Sequence, residues 1–227
     1  MCELREESDT RIHFEEVKDS GAREQFPTGA RRDTREGKGR YDLLPPFAIE
    51  EMAKILGREG IAEQTTVAHI SDGIACVNRR IQVWPSDFSP LALASIYFLC
   101  AMECQVRGGR YGITLLGEGT TWNLAAIPPH GLHRVACHFE AGAKKYGDRN
   151  WTRGIPVSRY VDPAWRHARA FLAGEQDEDH LAAAAWNCMC ALDTEHRILQ
   201  GYLPEELNDL TPETMHLVPY KKPEVAP

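Results

Sequence analysis

Net positive charge is missing from this sequence. The chain carries 26 Lys and Arg against 33 Asp and Glu, a formal net charge of −7. No overall positive field draws a nucleic-acid polymer. A local basic loop can still hold a small anion. No CxxC is present, and the seven Cys are odd in number and scattered. That pattern fits reduced thiols in a cytoplasm better than a disulfide framework. Cys100 and Cys104 sit one helical turn apart, as metal ligands can, but small buried hydrophobes in a helix are the simpler reading. Long apolar runs are also missing. The stretch "LALASIYFLCAM" is about a third too short to span a bilayer, so no membrane partner is expected. The start, "MCELREESDT", is polar and acidic, unlike a secretory leader.

What is present points to helices. At 227 residues, 43% hydrophobic and 26% charged, the composition is that of an ordinary globular domain. Residues 1–40 are polar and rich in Gly, Arg and Asp, and read as an arm. "LLPPFAIEEMAKILG" predicts a helix over about 46–56, opened by proline and closed by Gly57. "IPPHGLHRVACHFEAGA" repeats the plan, with Pro128-Pro129 answering Pro45-Pro46 and Ala136 answering Ala53. The repeat suggests that 58–127 is an insertion between two related starts. Its "IACVNRRIQVW" and "RYGITLLGEGTTWNLAAI" read as strands around an apolar helix at about 89–105. Further on, Asp162 as N-cap, Pro163 at the first position and Gly174 as stop predict a short helix. A long Ala-rich helix over about 178–199 follows, with Leu181, Ala184, Ala185, Cys188 and Leu192 as its core stripe. Residues 201–227 read as a tail. The expected fold is mainly α, a helical domain formed by 41–57 and 128–200, with a small mixed α/β insertion.

Charge separates sharply in the last third. "GAKKYGDRNWTRG" carries Lys144, Lys145, Arg149 and Arg153 against Asp148. "EQDEDH" carries Glu175, Asp177, Glu178 and Asp179, followed by His180. Each has a plain reading: a solvated turn, and acids favoured by a helix dipole. Together they also suit metal-assisted phosphate chemistry. Carboxylates hold a divalent ion, and cations neutralise a polyphosphate while water attacks phosphorus. Asn150 and Trp151 within the basic loop could meet a flat base. Asn187 lies on the face of His180, in an Ala-rich stretch where its amide must find partners. His167 reads as a satisfied core histidine. Glu140 is either a base or ligand, or an i,i+4 partner of Lys144.

"FPTGARRDTREGKGRYDLLPP", "GAKKYGDRNWTRGIPVSRY" and "RHARAFLAGEQDEDHLAAAAWN" resemble the phage-associated family of dATP/dGTP diphosphohydrolases. The likeness covers roughly 26–56 and 128–195. It implies hydrolysis of a deoxypurine triphosphate to monophosphate and pyrophosphate, with Mg²⁺ or another divalent cation such as Mn²⁺. The setting it implies is the cytoplasm of an infected bacterium. The chain is also similar in logic to the all-α MazG-type pyrophosphohydrolases, which assemble as homo-oligomers. It departs from their EExxE signature, since Lys54 stands where a third acid would fall. Glu206 and Asp209 make an ExxD, but outside the matched blocks. No His-Asp dipeptide exists, which argues against the hydrolase class with adjacent His-Asp ligands.

The expected roles follow from this resemblance. Glu175, Asp179 and His180 hold the metal. Glu140, Glu175 and Asp179 serve catalysis. Lys144, Lys145 and Arg149 grip phosphates, and Arg166 steadies the leaving pyrophosphate. Asn150, Trp151 and Asn187 contact base or sugar, and His167 supports the ligands from behind. The rival reading is a non-catalytic nucleotide-binding or phage assembly protein on the same scaffold.

Overall fold

Two proline pairs set the plan of the fold. The computed structural model describes residues 21–82, 88–114 and 122–210. Within them, Pro46 opens helix α1 (Pro46–Arg58), and α2 (Thr66–Gln82) and α3 (Ser89–Val106) follow. Pro129 opens helix α4 (Pro129–Tyr146), and α5 (Ser158–Ala173) and α6 (His180–Leu199) follow. Each proline takes the first helical position, where its missing N–H leaves no bond unmade and its φ is already helical. Ala53 and Ala136 hold equivalent places, and both are fully buried. The repeat also reaches backwards. A 3-10 turn stands before each proline pair, Tyr41–Leu43 before the first and Leu124–Ala126 before the second.

The parallel extends to packing. In each set of three, the last helix packs on the other two. Across the sets α3 packs on α6, α3 on α4, α1 on α6 and α2 on α5. Residues from 37 onward thus form two three-helix sets that exchange matching contacts, with α3 and α6 at the centre. Small residues let the helices approach closely. A Cβ at Gly131 of α4 would lie 2.8 Å from the Leu99 carbonyl oxygen of α3. Buried Glu103 of α3 caps α4, its Oε1 accepting from the His130 and Gly131 amides. A carboxylate there meets the positive end of the helix dipole.

The fold is mainly α, as expected, and the few strands are short. Residues 21–36 form a unit of their own, with β1 (Arg23–Gln25) antiparallel to β2 (Arg31–Asp33). In the other unit β3 (Ile61–Thr65) pairs antiparallel with β4 (Arg110–Ile113). The stretch 58–127 holds α2, α3 and this ribbon, so it supplies two of the six helices, α3 at the centre among them.

Several local expectations are corrected. "IACVNRRIQVW" is helical as far as Gln82, not a strand. The buried positions of α2 at Ile70, Gly73, Val77 and Arg80 recur at helical spacing, but Gly and Arg among them hide the period. α5 starts at Ser158, so Asp162 is not its cap. Distant Asp209 does that work, accepting from the Ser158 amide at 2.8 Å and from its hydroxyl at 2.5 Å. Asp162 instead pairs with Arg166 one turn on, at 3.0 Å. Helix α3, as 18 residues, is long and apolar enough to cross a membrane by length and composition. It is 72% buried in the protein, which accounts for its apolarity.

Buried Arg80 ties the sets together. Its guanidinium donates to Glu195 of α6 at 2.5 Å and to Asn208 at 3.3 Å. The described cysteines carry free thiols. Burial pushes Cys76 up to about 11 and holds Cys100 and Cys188 well above the ordinary thiol range, so none of these three is a poised nucleophile.

Candidate active site

Helix α6 begins where its first carboxylate finds a partner. Asp179 is its N-cap, accepting from the Ala182 amide at 3.1 Å. The same carboxylate holds Arg134 of α4 in a two-pronged pair at 2.6 and 2.7 Å. Burial alone would raise the Asp179 pKa, but Arg134 and the cap outweigh it and hold the group below the ordinary carboxylate range. Asp179 is therefore engaged in anchoring the helix.

The turn before Asp179 brings two imidazoles and acids together. Nδ1 of His167, from α5, lies 3.3 Å from Nδ1 of His180 and 3.2 Å from Oε1 of Glu178. The Glu178 oxygen lies 3.7 Å from His180 Nδ1. A second grouping shares His180, with Glu175 and Asp177. His180 is 4% exposed. Its Nε2 lies 3.0 Å from Asp177 Oδ1 but makes no hydrogen bond. Burial holds the His167 pKa below its ordinary value, against the pull of Glu178. The cluster can bind a metal ion.

Two cavities meet at these residues. One, of about 420 Å³, has walls of Phe139, Trp151, Tyr160 and Trp186. Polar groups enter it from Arg149, Asn150, Arg159 and Asn187. The other is lined by Arg166, Arg169, Glu175, Asp177 and His180. His167 and Glu178 line both. Trp151 is 5% exposed, and its indole N–H has no hydrogen-bond partner. Its ring meets Phe139 edge-on, with the Arg197 guanidinium 5.5 Å away. Asn187 donates to the Ala183 carbonyl at 2.8 Å, which fixes its amide. Arg149 takes a left-handed φ of 52° and donates to the Asp42 carbonyl at 2.9 Å. That bend turns the loop from α4 toward the buried indole.

Other candidates lie elsewhere. Glu140 is 8% exposed, and its carboxylate accepts from the Gly37 and Gly39 amides at 2.9 and 3.0 Å. Burial would raise its pKa, but those amides and Lys144 hold it below the usual range. Lys144 pairs with Glu140 at 3.3 Å, and Lys145 sits 5.0 Å from the Tyr146 ring. None of these three lines either cavity. Sequence reasoning singled out no role for Glu178, Arg159, Tyr160, Trp186 or Arg134. Glu178 stood in the acid run without a signal to rank it. The aromatic walls read as core, and only tertiary contacts separate lining from filling.

Residues 117–201 match the family model described as dATP/dGTP diphosphohydrolase, N-terminal. The resemblance read from the sequence thus holds over α4, α5 and α6, the helices that carry both cavities. The family's description is that of a diphosphohydrolase acting on dATP and dGTP. No curated protein and no solved structure matches the chain.

Proposed function

We propose that this protein hydrolyses a purine deoxynucleoside triphosphate to the monophosphate and pyrophosphate, with a divalent cation. The observation that carries the reading is the place of His167 and Glu178, which line both an aromatic cavity and a charged one. A nucleotide needs both environments, and a scissile phosphate belongs where they meet.

In this reading the base enters among Phe139, Trp151, Tyr160 and Trp186, which offer stacking faces. The Trp151 N–H, which lacks a partner, donates to a base or sugar acceptor. Asn150 and Asn187 flank it. Arg149 and Arg159 meet the phosphates from the aromatic side, and Arg166 and Arg169 meet the leaving pyrophosphate from the other. Lys144 and Lys145 add positive charge near the loop. Glu175 accepts a proton as water attacks the α-phosphorus and the P–O bond to the β-phosphate breaks. Asp179 and Arg134 fix the loop that presents these groups, and Glu140 fixes the backbone at 37–39. The residues present fit a divalent ion, since His167 Nδ1, His180 Nδ1 and Glu178 Oε1 lie 3.2–3.7 Å from one another. When bound, such an ion supplies charge neutralisation at the phosphates. The substrate is a free nucleotide, not a polymer, in a cytoplasm that keeps the thiols reduced.

The test is a panel of four dNTPs and four NTPs with Mg²⁺ and with Mn²⁺, reading nucleotide and pyrophosphate separately. Monophosphate plus pyrophosphate, favouring dATP or dGTP, is expected. Diphosphate plus phosphate would overturn attack at the α-phosphorus. Nucleotide binding without turnover would leave a binding protein.

A further inference from the structure

We infer that His167, Glu178 and His180 form a site for a divalent transition ion that accepts imidazole, such as Mn²⁺, Co²⁺ or Zn²⁺, and not a Mg²⁺ site. The inference refines the ion of the hydrolase reading above, but it stands on ligand atoms.

The first argument is spacing. Ligand atoms about 2.1 Å from one ion lie roughly 3.0–3.4 Å from one another, in octahedral or tetrahedral order. His167 Nδ1 lies 3.3 Å from His180 Nδ1 and 3.2 Å from Glu178 Oε1, inside that range, and the His180 Nδ1–Glu178 Oε1 separation of 3.7 Å needs to shorten by about 0.3 Å to meet it. The second is donor type. Mg²⁺ takes oxygen ligands and keeps several waters. Two imidazoles and one carboxylate instead suit the borderline ions.

The third argument is burial. Glu175, Asp177 and Glu178 are exposed, and exposed acids alone make no site. His180 is 4% exposed, and its Nε2 has no hydrogen-bond partner. A buried polar atom left unpaired is costly. An ion on Nδ1 would instead fix the proton on Nε2, which faces Asp177 Oδ1 at 3.0 Å. A carboxylate behind a ligating imidazole fixes its tautomer and raises its basicity. Three protein ligands also leave positions open, as catalytic ions require.

The experiment uses the full chain, stripped with chelator and free of nucleotide. Co²⁺ is titrated while its visible absorption is read, and Mg²⁺, Mn²⁺ and Zn²⁺ are titrated by calorimetry. One Co²⁺ per chain is expected, with nitrogen-ligand bands, and affinity for Co²⁺ or Zn²⁺ at least about 100-fold above that for Mg²⁺. His167→Ala and Glu178→Gln should each weaken binding by about tenfold or more, with melting temperature confirming the fold. Should His167→Ala unfold, Glu178→Gln carries the test, because that side chain is 43% exposed. Mg²⁺ binding as tightly as Co²⁺, or Co²⁺ binding unmoved by folded variants, would overturn the inference. Tight Co²⁺ binding without nucleotide turnover keeps this site and defeats the hydrolase reading. Turnover with Mg²⁺ and no Co²⁺ binding does the reverse.

Discussion

Asp179 and Glu178 are neighbours with opposite expected behaviour, and Asp179→Asn separates them. Asparagine keeps the side-chain oxygen that caps α6, and it is as good an N-cap as aspartate. It loses the charge that holds Arg134 at 2.6 and 2.7 Å. Hydrogen bonds to charged groups are worth about 1.5–3 kcal/mol when buried. Asp179 has 36% side-chain exposure, so solvent screening reduces this toward the value of an exposed pair. The expected loss is about 1–2 kcal/mol, or a fall in Tm of about 2–8 °C for a chain of this size. Asp179→Ala should cost about 1 kcal/mol more, because the cap goes too. The sign of the pH effect follows from the lowered pKa. The pair's stabilisation is present above the unfolded carboxylate value, and it disappears as pH falls through the lower folded value. Wild type and Asp179→Asn should therefore converge in acid. Thermal unfolding followed by circular dichroism across pH measures this. Unchanged Tm together with lost Co²⁺ binding would refute the assignment and place Asp179 among the ligands.

Two further outcomes follow from buried groups. Arg80→Met removes one partner of a fully buried ion pair. Burial already raises the Glu195 pKa to about 7, so the carboxyl takes up a proton and is left without its donor, at about 1–3 kcal/mol of stability. Denaturant unfolding checks this, and a change under 1 kcal/mol would mean that the pair is not formed. Glu140→Ala leaves the Gly37 and Gly39 amides without their acceptor, at about 1–3 kcal/mol. Hydrogen exchange should quicken at those amides, and unchanged protection would show that Glu140 does not hold them.

The helices were legible where their signals are local. The Pro-Pro openings, the Gly174 stop and the Ala-rich α6 each announce themselves within a few residues. The start of α5 was not legible, because its cap is Asp209, which no window around Ser158 contains. The helical α2 was hidden because two of its buried positions are Gly73 and Arg80, and the β-branched residues between them imitate a strand. At the site, sequence located the acid run and the basic loop. It could not choose among adjacent carboxylates, since the choice is made by Arg134, by His167 and by the Gly37–Gly39 backbone. Each of these lies on another element.

The repeat explains why its two halves look so unequal in sequence. Both sets need the Pro-Pro opening and the buried alanine, because α1 and α4 must both pack on the α3–α6 pair. Chemistry has no such constraint. α6 opens with His180 after an acid run, whereas α3 opens with Ser89 and Pro90. The first set does carry a buried histidine, His69, but its Nε2 lies 2.8 Å from the Tyr111 carbonyl of β4, on the ribbon that, among the described residues, belongs to this set alone. The family match begins at residue 117 and ends at 201, so it covers the set with the imidazole cluster and leaves α1 to α3 outside. One set thus carries the imidazole–carboxylate cluster while the other completes the core against which it is held. Substitutions at the α3–α6 crossing should therefore disturb the site without touching it.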